Sequence, residues 1–176
     1  MRGKSIVYII GFMGSGKTTA GEKLASSLGW QFVDLDREIE KNEGKTIPQI
    51  FSQNGEGYFR AVETEILRSL GAGKKTIIST GGGTPCYDDN MDFMLRTGVT
   101  VYLKMTPPQL AGRLLKETED RPLLKNIPDD KLVVFIGEKL KQREKWYNRS
   151  NIIINGMDLD IKDLHTAVKT SLISLQ

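Results

Sequence analysis

The residues from Gly11 to Thr18 read GFMGSGKT and have the spacing of a phosphate-binding loop, G-x-x-x-x-G-K-[ST]. Glycines at these places let successive backbone N–H groups converge on anionic oxygens. Lys17 is then placed to reach the β- and γ-phosphates of a nucleotide, and the Thr18 hydroxyl to bind Mg²⁺. The alternative is a glycine-rich turn with an incidental lysine, but an apolar strand pattern precedes the loop and a helical pattern follows it. We therefore predict a nucleoside triphosphate site, which leaves open what accepts the phosphate.

Two carboxylates leave the second predicted strand, in the run Val33-Asp34-Leu35-Asp36. Ligands of open α/β folds bind at the carboxyl edge of the sheet, so one carboxylate can lie toward a metal and the other toward an acceptor hydroxyl. Phosphoryl transfer needs a nucleophile placed in line and a group that takes its proton. The alternative is structural, because Asp34 or Asp36 could simply cap the helix that follows.

Three further positions carry groups suited to an acceptor or to phosphates. The glycine run Gly81–Gly83 follows the third predicted strand, where backbone N–H groups without side chains can approach a ligand. Arg60 ends the run GEGYFR, and Arg121 begins RPLL in a polar segment, from which it could close over phosphates. Each also has a plainer interpretation: a flexible turn, a solvated helix residue and a surface loop charge.

The elements that must position these groups alternate along the chain. Short runs rich in Val, Ile, Tyr and Phe predict strands at Ser5–Ile10, Gln31–Val33, Thr76–Ser79, Thr100–Leu103 and Asn151–Ile154. Apolar spacing predicts helices at Lys17–Leu28, Glu56–Leu70, Thr106–Leu115, Lys131–Tyr147 and Ile161–Leu175. This alternation predicts an α/β fold, a three-layer sandwich with a parallel sheet between helices. Two polar segments, Asp36–Gln53 and Lys116–Asp130, interrupt it and are candidate substrate and lid elements.

Length and composition limit the class of protein. A chain of 176 residues with 39% hydrophobic residues is enough for one domain with its own core. The formal net charge of +3 is too small for a general nucleic-acid binder, and no apolar run approaches the length of a membrane span. The single cysteine, Cys86, excludes an intramolecular disulfide and fits a reducing compartment. We expect a cytoplasmic protein that binds neither nucleic acid nor membrane.

Taken in order, these motifs resemble those of shikimate kinases, a family of P-loop kinases related to the nucleoside monophosphate kinases. The resemblance covers most of the chain. It rests on the loop Gly11–Thr18, the run Phe32–Glu40, Ile47–Phe51, Gly55–Arg60, Gly81–Gly83, Arg121–Leu124, and Arg143 four residues before Tyr147. The loop alone is typical of the whole superfamily, whereas the combination is specific.

The resemblance implies ATP-dependent phosphorylation of the 3-hydroxyl of shikimate, with Mg²⁺ as cofactor. It implies a single P-loop kinase domain over residues 1–176 that acts as a monomer. The five-stranded parallel sheet would have the order 2-3-1-4-5. A substrate-binding insert would span about residues 34–62 and a lid about residues 116–128.

The resemblance also implies roles for individual residues. The ATP-binding set would be Gly14, Ser15, Gly16, Lys17, Thr18, Thr19 and Arg121. The catalytic residues would be Asp36, Lys17 and Arg121, and Thr18 and Asp34 would support the metal. The substrate would contact Asp36, Arg60, Gly82, Arg143, Phe51 and Phe59. In this scheme Asp36 is the base, and the two arginines of the substrate set clamp the shikimate carboxylate.

Other residues receive lesser roles. Arg113 is a candidate adenine contact, whereas we expect Cys86 to be a packed thiol and His165 to be a surface or partly buried residue. We expect Trp146 and Tyr147 to pack a helix against the sheet. The competing functions are a gluconate kinase, another small-metabolite or nucleotide kinase, and a catalytically silent P-loop module that binds nucleotide to control a partner.

Overall fold

The computed structural model describes residues 5–116 and 127–174. Five strands form one sheet: β1 (Ile6–Ile10), β2 (Gln31–Asp34), β3 (Thr76–Ser79), β4 (Val99–Lys104) and β5 (Ile152–Asn155). The α-helices of the described residues are α1 (Lys17–Leu28), α2 (Leu35–Glu43), α3 (Ile47–Leu70), α4 (Asn90–Thr97), α5 (Pro107–Leu114), α6 (Leu132–Tyr147) and α7 (Ile161–Ser174). All five strands overlap their predicted ranges, with ends that differ by one residue at most.

The sheet is parallel throughout and has the order β2-β3-β1-β4-β5, as predicted. All five residues of the central strand β1 are buried, because helices cover both faces of the sheet. In the register, Asp34 at the end of β2 lies opposite Ser79 at the end of β3. The phosphate loop, the Asp34–Asp36 pair and the glycine run therefore leave the same edge of the sheet.

Alternate side chains of the strands point to opposite faces of the sheet, into two separate hydrophobic cores. On one face, Tyr8, Ile10 and Tyr102 pack with side chains from helices α2 to α6. On the other face, Val7 and Val101 pack with side chains from α1 and α7. Helices α2, α3 and α6, which carry Asp36, Arg60 and Arg143, all pack on the first face, so the segments that build the acceptor side lie there.

Two helices differ from the expectation. Helix α3 begins at Ile47 rather than at Glu56 and is broken at Gly55, whose φ of 81° and ψ of 172° are not helical. The end of the polar segment Asp36–Gln53 and the predicted helix Glu56–Leu70 are thus joined across a glycine kink. Helix α4 was not predicted, because it is short, its N-cap residue Asp89 makes no side-chain capping hydrogen bond, and one of its buried residues is the polar Asn90.

The predicted lid lies almost wholly outside the described residues, and so does Arg121. In the segments 5–116 and 127–174, every helix is too short or too polar to cross a bilayer.

Candidate active site

The phosphate loop joins the buried strand β1 to helix α1. Gly11, Gly14 and Gly16 have positive φ values of 152°, 77° and 86°, and a Cβ on Gly11 would lie 2.8 Å from Ser15 Oγ. Helix α1 has neither a side-chain cap nor an acidic residue in its first turn. Its N-terminal N–H groups and its dipole are therefore directed at the loop, an arrangement that favours an anion.

Lys17 and Ser15 are held inside this loop. Lys17 Nζ donates a hydrogen bond of 2.9 Å to the carbonyl oxygen of Phe12. The side chain of Ser15 is buried, and its hydroxyl has no hydrogen-bond partner within the described part of the chain. Thr19 is exposed on the first turn of α1. The loop thus presents a lysine ammonium and backbone N–H groups to one region of space.

Asp34 has two roles in the structure. Its Oδ1 accepts hydrogen bonds from the backbone N–H groups of Asp36 (3.1 Å) and Arg37 (3.3 Å), so Asp34 is the N-cap of α2. Its Oδ2 accepts a 2.8 Å hydrogen bond from Thr18 Oγ1. The capping interpretation is therefore correct, and the same cap orients the second carboxylate oxygen toward the phosphate loop.

The adjacent oxygens of Thr18 and Asp34 match the hard oxygen ligands that Mg²⁺ takes from proteins. Across the described ranges, no cluster of three or more His, Cys, Asp or Glu side chains could hold a metal ion. Mg²⁺ commonly uses one or two protein oxygens and completes its shell with phosphate oxygens and water. The donor set at Thr18 and Asp34 fits that mode of binding.

Asp36 lies in the first turn of α2 with its carboxylate largely buried. Burial, together with the negative charges of Asp34 and Glu63, raises the pKa of Asp36 to about 6, although the positive charge of Lys17 opposes the shift. A carboxylate of this pKa is still ionised at neutral pH and is a stronger base than an ordinary aspartate. The position, beside the phosphate loop, suits a group that accepts a proton during phosphoryl transfer.

Arg60, on α3, is held by two glutamates of the same helix. Its Nη1 donates a 2.6 Å hydrogen bond to Glu63 Oε2, and its Nε lies 3.5 Å from Glu56 Oε1. Glu63 is fully buried, and its other oxygen accepts a 2.5 Å hydrogen bond from Thr84 Oγ1. The Arg60 guanidinium also lies 5.2 Å from the centre of the Phe59 ring. These contacts fix the orientation of the guanidinium.

Arg143, on α6, approaches the same region from the opposite side. Its guanidinium lies 5.2 Å from the centre of the Phe12 ring. Its Nη1 is buried and has no hydrogen-bond partner within residues 5–116 and 127–174. A buried donor of a charged group without an acceptor is costly, so the atom is suited to an anionic ligand.

A cavity of about 120 Å³ lies between the two arginines. It is lined by Phe12, Met13, Phe51, Glu56, Arg60, Phe135, Lys139 and Arg143. Phe51 packs against Phe59 with ring centres 4.6 Å apart. The cavity therefore combines aromatic walls with two guanidinium groups, a combination that suits a small ring bearing a carboxylate.

The glycine run Gly81–Gly83 is packed rather than flexible. A Cβ on Gly81 would lie 3.1 Å from Asp36 Oδ1, and a Cβ on Gly82 would lie 3.3 Å from Arg143 Nη1. A Cβ on Gly83 would lie 2.8 Å from an Arg60 nitrogen. Side chains at these three positions would displace the groups of the candidate site, which gives the glycines a reason beyond the turn itself.

A larger cavity, of about 550 Å³, lies between α5, α6 and the edge strand β5. Its lining residues are Lys104, Met105, Thr106, Pro107, Gln109, Gly137, Leu140, Lys141, Glu144, Ile153, Ile154 and Asn155. None of the predicted site residues is among them, so its size carries no argument about the chemistry of this protein.

The sequence model of the family described as shikimate kinase matches residues 13–172. The chain belongs to the shikimate kinase family. A shikimate kinase of Parabacteroides distasonis is 40% identical over 166 residues, which are 92% of this chain and 96% of the relative. The chain is also similar to solved structures of the family.

The crystal structure of a shikimate kinase from Bacteroides thetaiotaomicron matches with a TM-score of 0.85 and 37% identity, covering 97% of this chain and 98% of that one. A shikimate kinase from Acinetobacter baumannii in complex with shikimate also gives 0.85, at 33% identity, over 97% of this chain and 94% of that one. A gluconokinase from Sinorhizobium meliloti gives 0.56 at 16% identity, over 99% and 95% of the two chains, and so shares the fold alone.

Most of the residues that the shikimate kinase resemblance singled out are brought together at one sheet edge. Three of the predicted substrate contacts do not line the cavity itself: Phe59 is buried and packs against Phe51, Asp36 lies next to Gly81, and Gly82 lies next to Arg143. Several residues of the site were missed: Phe12, Met13, Glu56, Phe135 and Lys139 line the cavity, and Glu63 holds Arg60. Phe12 was treated only as a variable position of the phosphate loop, and Glu63, three residues after Arg60, had a helical spacing that could have revealed the ion pair.

The structure also shows the contacts of Arg113, Cys86 and His165, the residues to which the sequence assigned lesser roles. Arg113 donates hydrogen bonds to the carbonyl oxygens of Ser15 (3.2 Å) and Gly156 (3.1 Å), so it bridges the phosphate loop and the segment after β5. Cys86 is packed as expected, and burial raises its pKa to about 11. His165 is partly buried and contacts the Ser27 hydroxyl.

Proposed function

We propose that this protein transfers the γ-phosphoryl group of ATP to the 3-hydroxyl of shikimate. The observation that carries the proposal is the buried, unpartnered Nη1 of Arg143, which faces Arg60 across an aromatic-walled cavity. A carboxylate bound between the two guanidinium groups would give that nitrogen its acceptor. The choice of shikimate as the ligand is supported by the related enzyme from Acinetobacter baumannii, whose structure is a complex with shikimate.

On the acceptor side, Asp36 would take the proton of the attacking hydroxyl. Its place at the end of β2, next to Gly81, puts it between the phosphate loop and the carboxylate cavity. The two arginines and Gly82 would hold the ring, and Phe51 would pack against it. Catalysis of this reaction is mainly positioning together with stabilisation of charge, and these rigid contacts supply the positioning.

On the donor side, Lys17 and the N–H groups of the phosphate loop would bind the β- and γ-phosphates. Thr18 and Asp34 would hold Mg²⁺, which neutralises charge on the phosphates when it is bound. Among the ATP contacts, Gly14, Ser15 and Gly16 would act through their backbone, and Arg113 would pack near the adenine. Arg121 keeps its proposed role as a lid arginine.

The remaining proposals concern the whole molecule. We propose a single kinase domain over residues 1–176 that acts as a monomer in the cytoplasm. The insert at about residues 34–62 supports this, because Phe51 and Arg60 reach the cavity from within the same domain. A gluconate kinase or nucleotide kinase is the competing activity.

A steady-state assay with Mg-ATP and one acceptor at a time tests the substrate. We expect turnover with shikimate and at least about 10³-fold lower kcat/KM with gluconate or a nucleoside monophosphate, because neither an open chain nor a nucleotide suits the small cavity between the two arginines. Absence of turnover with shikimate would exclude the proposed function. Nucleotide binding without turnover of any acceptor would favour the silent P-loop module.

The pKa of Asp36 predicts the acid side of the pH profile. Because Asp36 must be ionised to accept a proton, kcat/KM for shikimate is expected to fall about tenfold per pH unit below a midpoint near pH 6. The variant Glu63→Gln removes one of the negative charges that raise this pKa, so its midpoint is expected at a lower pH. If the midpoint of the Glu63→Gln profile stays near pH 6, the fall in kcat/KM at low pH is not caused by protonation of Asp36.

A further inference from the structure

Tyr147, the last residue of α6, makes a contact that the proposed reaction scheme leaves unused. Its hydroxyl donates a hydrogen bond to the carbonyl oxygen of Gly82, a residue 65 positions earlier in the chain. The side chain is 0% exposed, and burial raises the pKa of Tyr147 well above its usual range. The hydroxyl therefore stays protonated at physiological pH and acts as a donor.

The glycine run has few other contacts that fix its peptide planes. The carbonyl oxygens on either side of Gly82 accept local backbone hydrogen bonds of 3.2 and 3.0 Å from residues of the turn that follows. The Gly82 carbonyl differs, since its hydrogen bond comes from Tyr147 on a distant helix. The N–H groups of Gly81–Gly83 donate no hydrogen bond to any residue that the structure describes. These amides are available to a ligand, and Tyr147 restrains the plane of the central peptide.

The same helix carries the carboxylate-binding arginine one turn earlier. A Cβ on Gly82 would lie 3.3 Å from Arg143 Nη1, so α6 touches the glycine run both through a guanidinium and through the Tyr147 hydroxyl. A trans peptide holds its C=O and N–H groups antiparallel. Fixing the Gly82 carbonyl therefore also sets the direction of the Gly83 N–H, in the residue that packs against Arg60.

We propose that Tyr147 is a positioning residue for the acceptor substrate: its hydrogen bond to Gly82 holds the glycine run in register with Arg143 and Arg60. The inference rests on the proposed function, in which shikimate occupies the cavity between the two arginines. Tyr147 itself touches no reacting atom, and it acts through the peptide that it orients.

The variant Tyr147→Phe tests the proposal, because it removes one buried oxygen and keeps the ring that packs on Tyr102 at 4.9 Å between centres. We expect the KM for shikimate to rise about three- to tenfold, the range for one lost hydrogen bond. The KM for ATP and kcat are expected to stay within about twofold of the unmodified protein, since the phosphate loop does not depend on this contact.

The matched control is Tyr102→Phe, on β4. Its hydroxyl is buried but has no hydrogen-bond partner among the described residues, so removing it is expected to leave the KM for shikimate unchanged. Thermal unfolding of both variants shows whether the fold is retained. The proposal is overturned if Tyr147→Phe lowers only the melting temperature, if both KM values rise together, or if Tyr102→Phe has the same effect. Absence of shikimate turnover in the unmodified protein would instead remove the proposed function.

Discussion

Replacing Asp36 by asparagine is expected to lower kcat for shikimate phosphorylation by about 10²- to 10⁴-fold, the range for loss of a general base. The amide keeps the size and shape of the side chain but cannot take the proton of the attacking hydroxyl. ATP binding is expected to be retained, because the hydrogen bonds from Lys17 to Phe12 and from Thr18 to Asp34 do not involve the Asp36 side chain. Steady-state kinetics measure the loss of kcat, and equilibrium titration with a non-hydrolysable analogue of ATP measures nucleotide binding separately.

The same substitution is expected to stabilise the folded protein. The pKa of Asp36 is raised from 3.8 to about 6 on folding, so the folded state holds more protons than the unfolded state between these values. The stability of the unmodified protein therefore falls as the pH rises through this window, by up to about 3 kcal/mol once Asp36 is ionised. Asp36→Asn removes that cost.

Urea unfolding at pH 7.5 and pH 5 tests this linkage. The gain in the free energy of unfolding of Asp36→Asn is expected to be larger at pH 7.5 than at pH 5, because Asp36 is only partly ionised at the lower pH. The control Asp88→Asn changes an exposed carboxylate and is expected to alter stability little at either pH. If Asp36→Asn keeps the kcat of the unmodified protein, Asp36 is not the base.

Replacing Arg60 by alanine is expected to raise the KM for shikimate by roughly 10²-fold. Two charge-assisted hydrogen bonds to a carboxylate, each contributing about 1.5 kcal/mol, correspond to that factor. The substitution also leaves Glu63 buried without its guanidinium partner, which is expected to lower the free energy of unfolding by about 3 kcal/mol. Steady-state kinetics and urea unfolding give the two values.

Two further variants separate binding from folding. Arg60→Lys keeps a positive charge near Glu63 but loses the planar fork, so it is expected to be more stable than Arg60→Ala while the KM for shikimate remains raised. Arg68→Ala removes an arginine of the same helix α3 whose ion pair with Asp89 is exposed at the surface. It is expected to leave the KM unchanged and to alter stability by at most about 1 kcal/mol. An Arg60→Ala protein with an unmodified KM would take Arg60 out of the site.

Local sequence patterns were sufficient to predict those features that depend only on residues close together in the chain. The loop Gly11–Thr18 is recognised by its spacing alone, because glycines and a lysine at those intervals are what a phosphate cradle needs. Alternating strand and helix patterns predicted the layered fold, since each pattern has its own hydrophobic period. The order of the strands came from the family resemblance, because strand patterns carry no information about which neighbours pair. Helix α4 was not predicted, because unlike the equally short α5 it has neither a proline at its start nor a capping box.

The residues alone identify the chemical groups that the protein has: a phosphate loop, the Asp34–Asp36 pair and the two arginines that a carboxylate would need. How these groups are tuned depends on the packing of the folded chain. The raised pKa of Asp36 depends on burial and on Glu63, and the hydrogen bond from Tyr147 to Gly82 joins residues 65 positions apart. Sequence spacing fixes neighbours along one helix or strand, whereas burial and contacts between distant segments arise only when the layers pack.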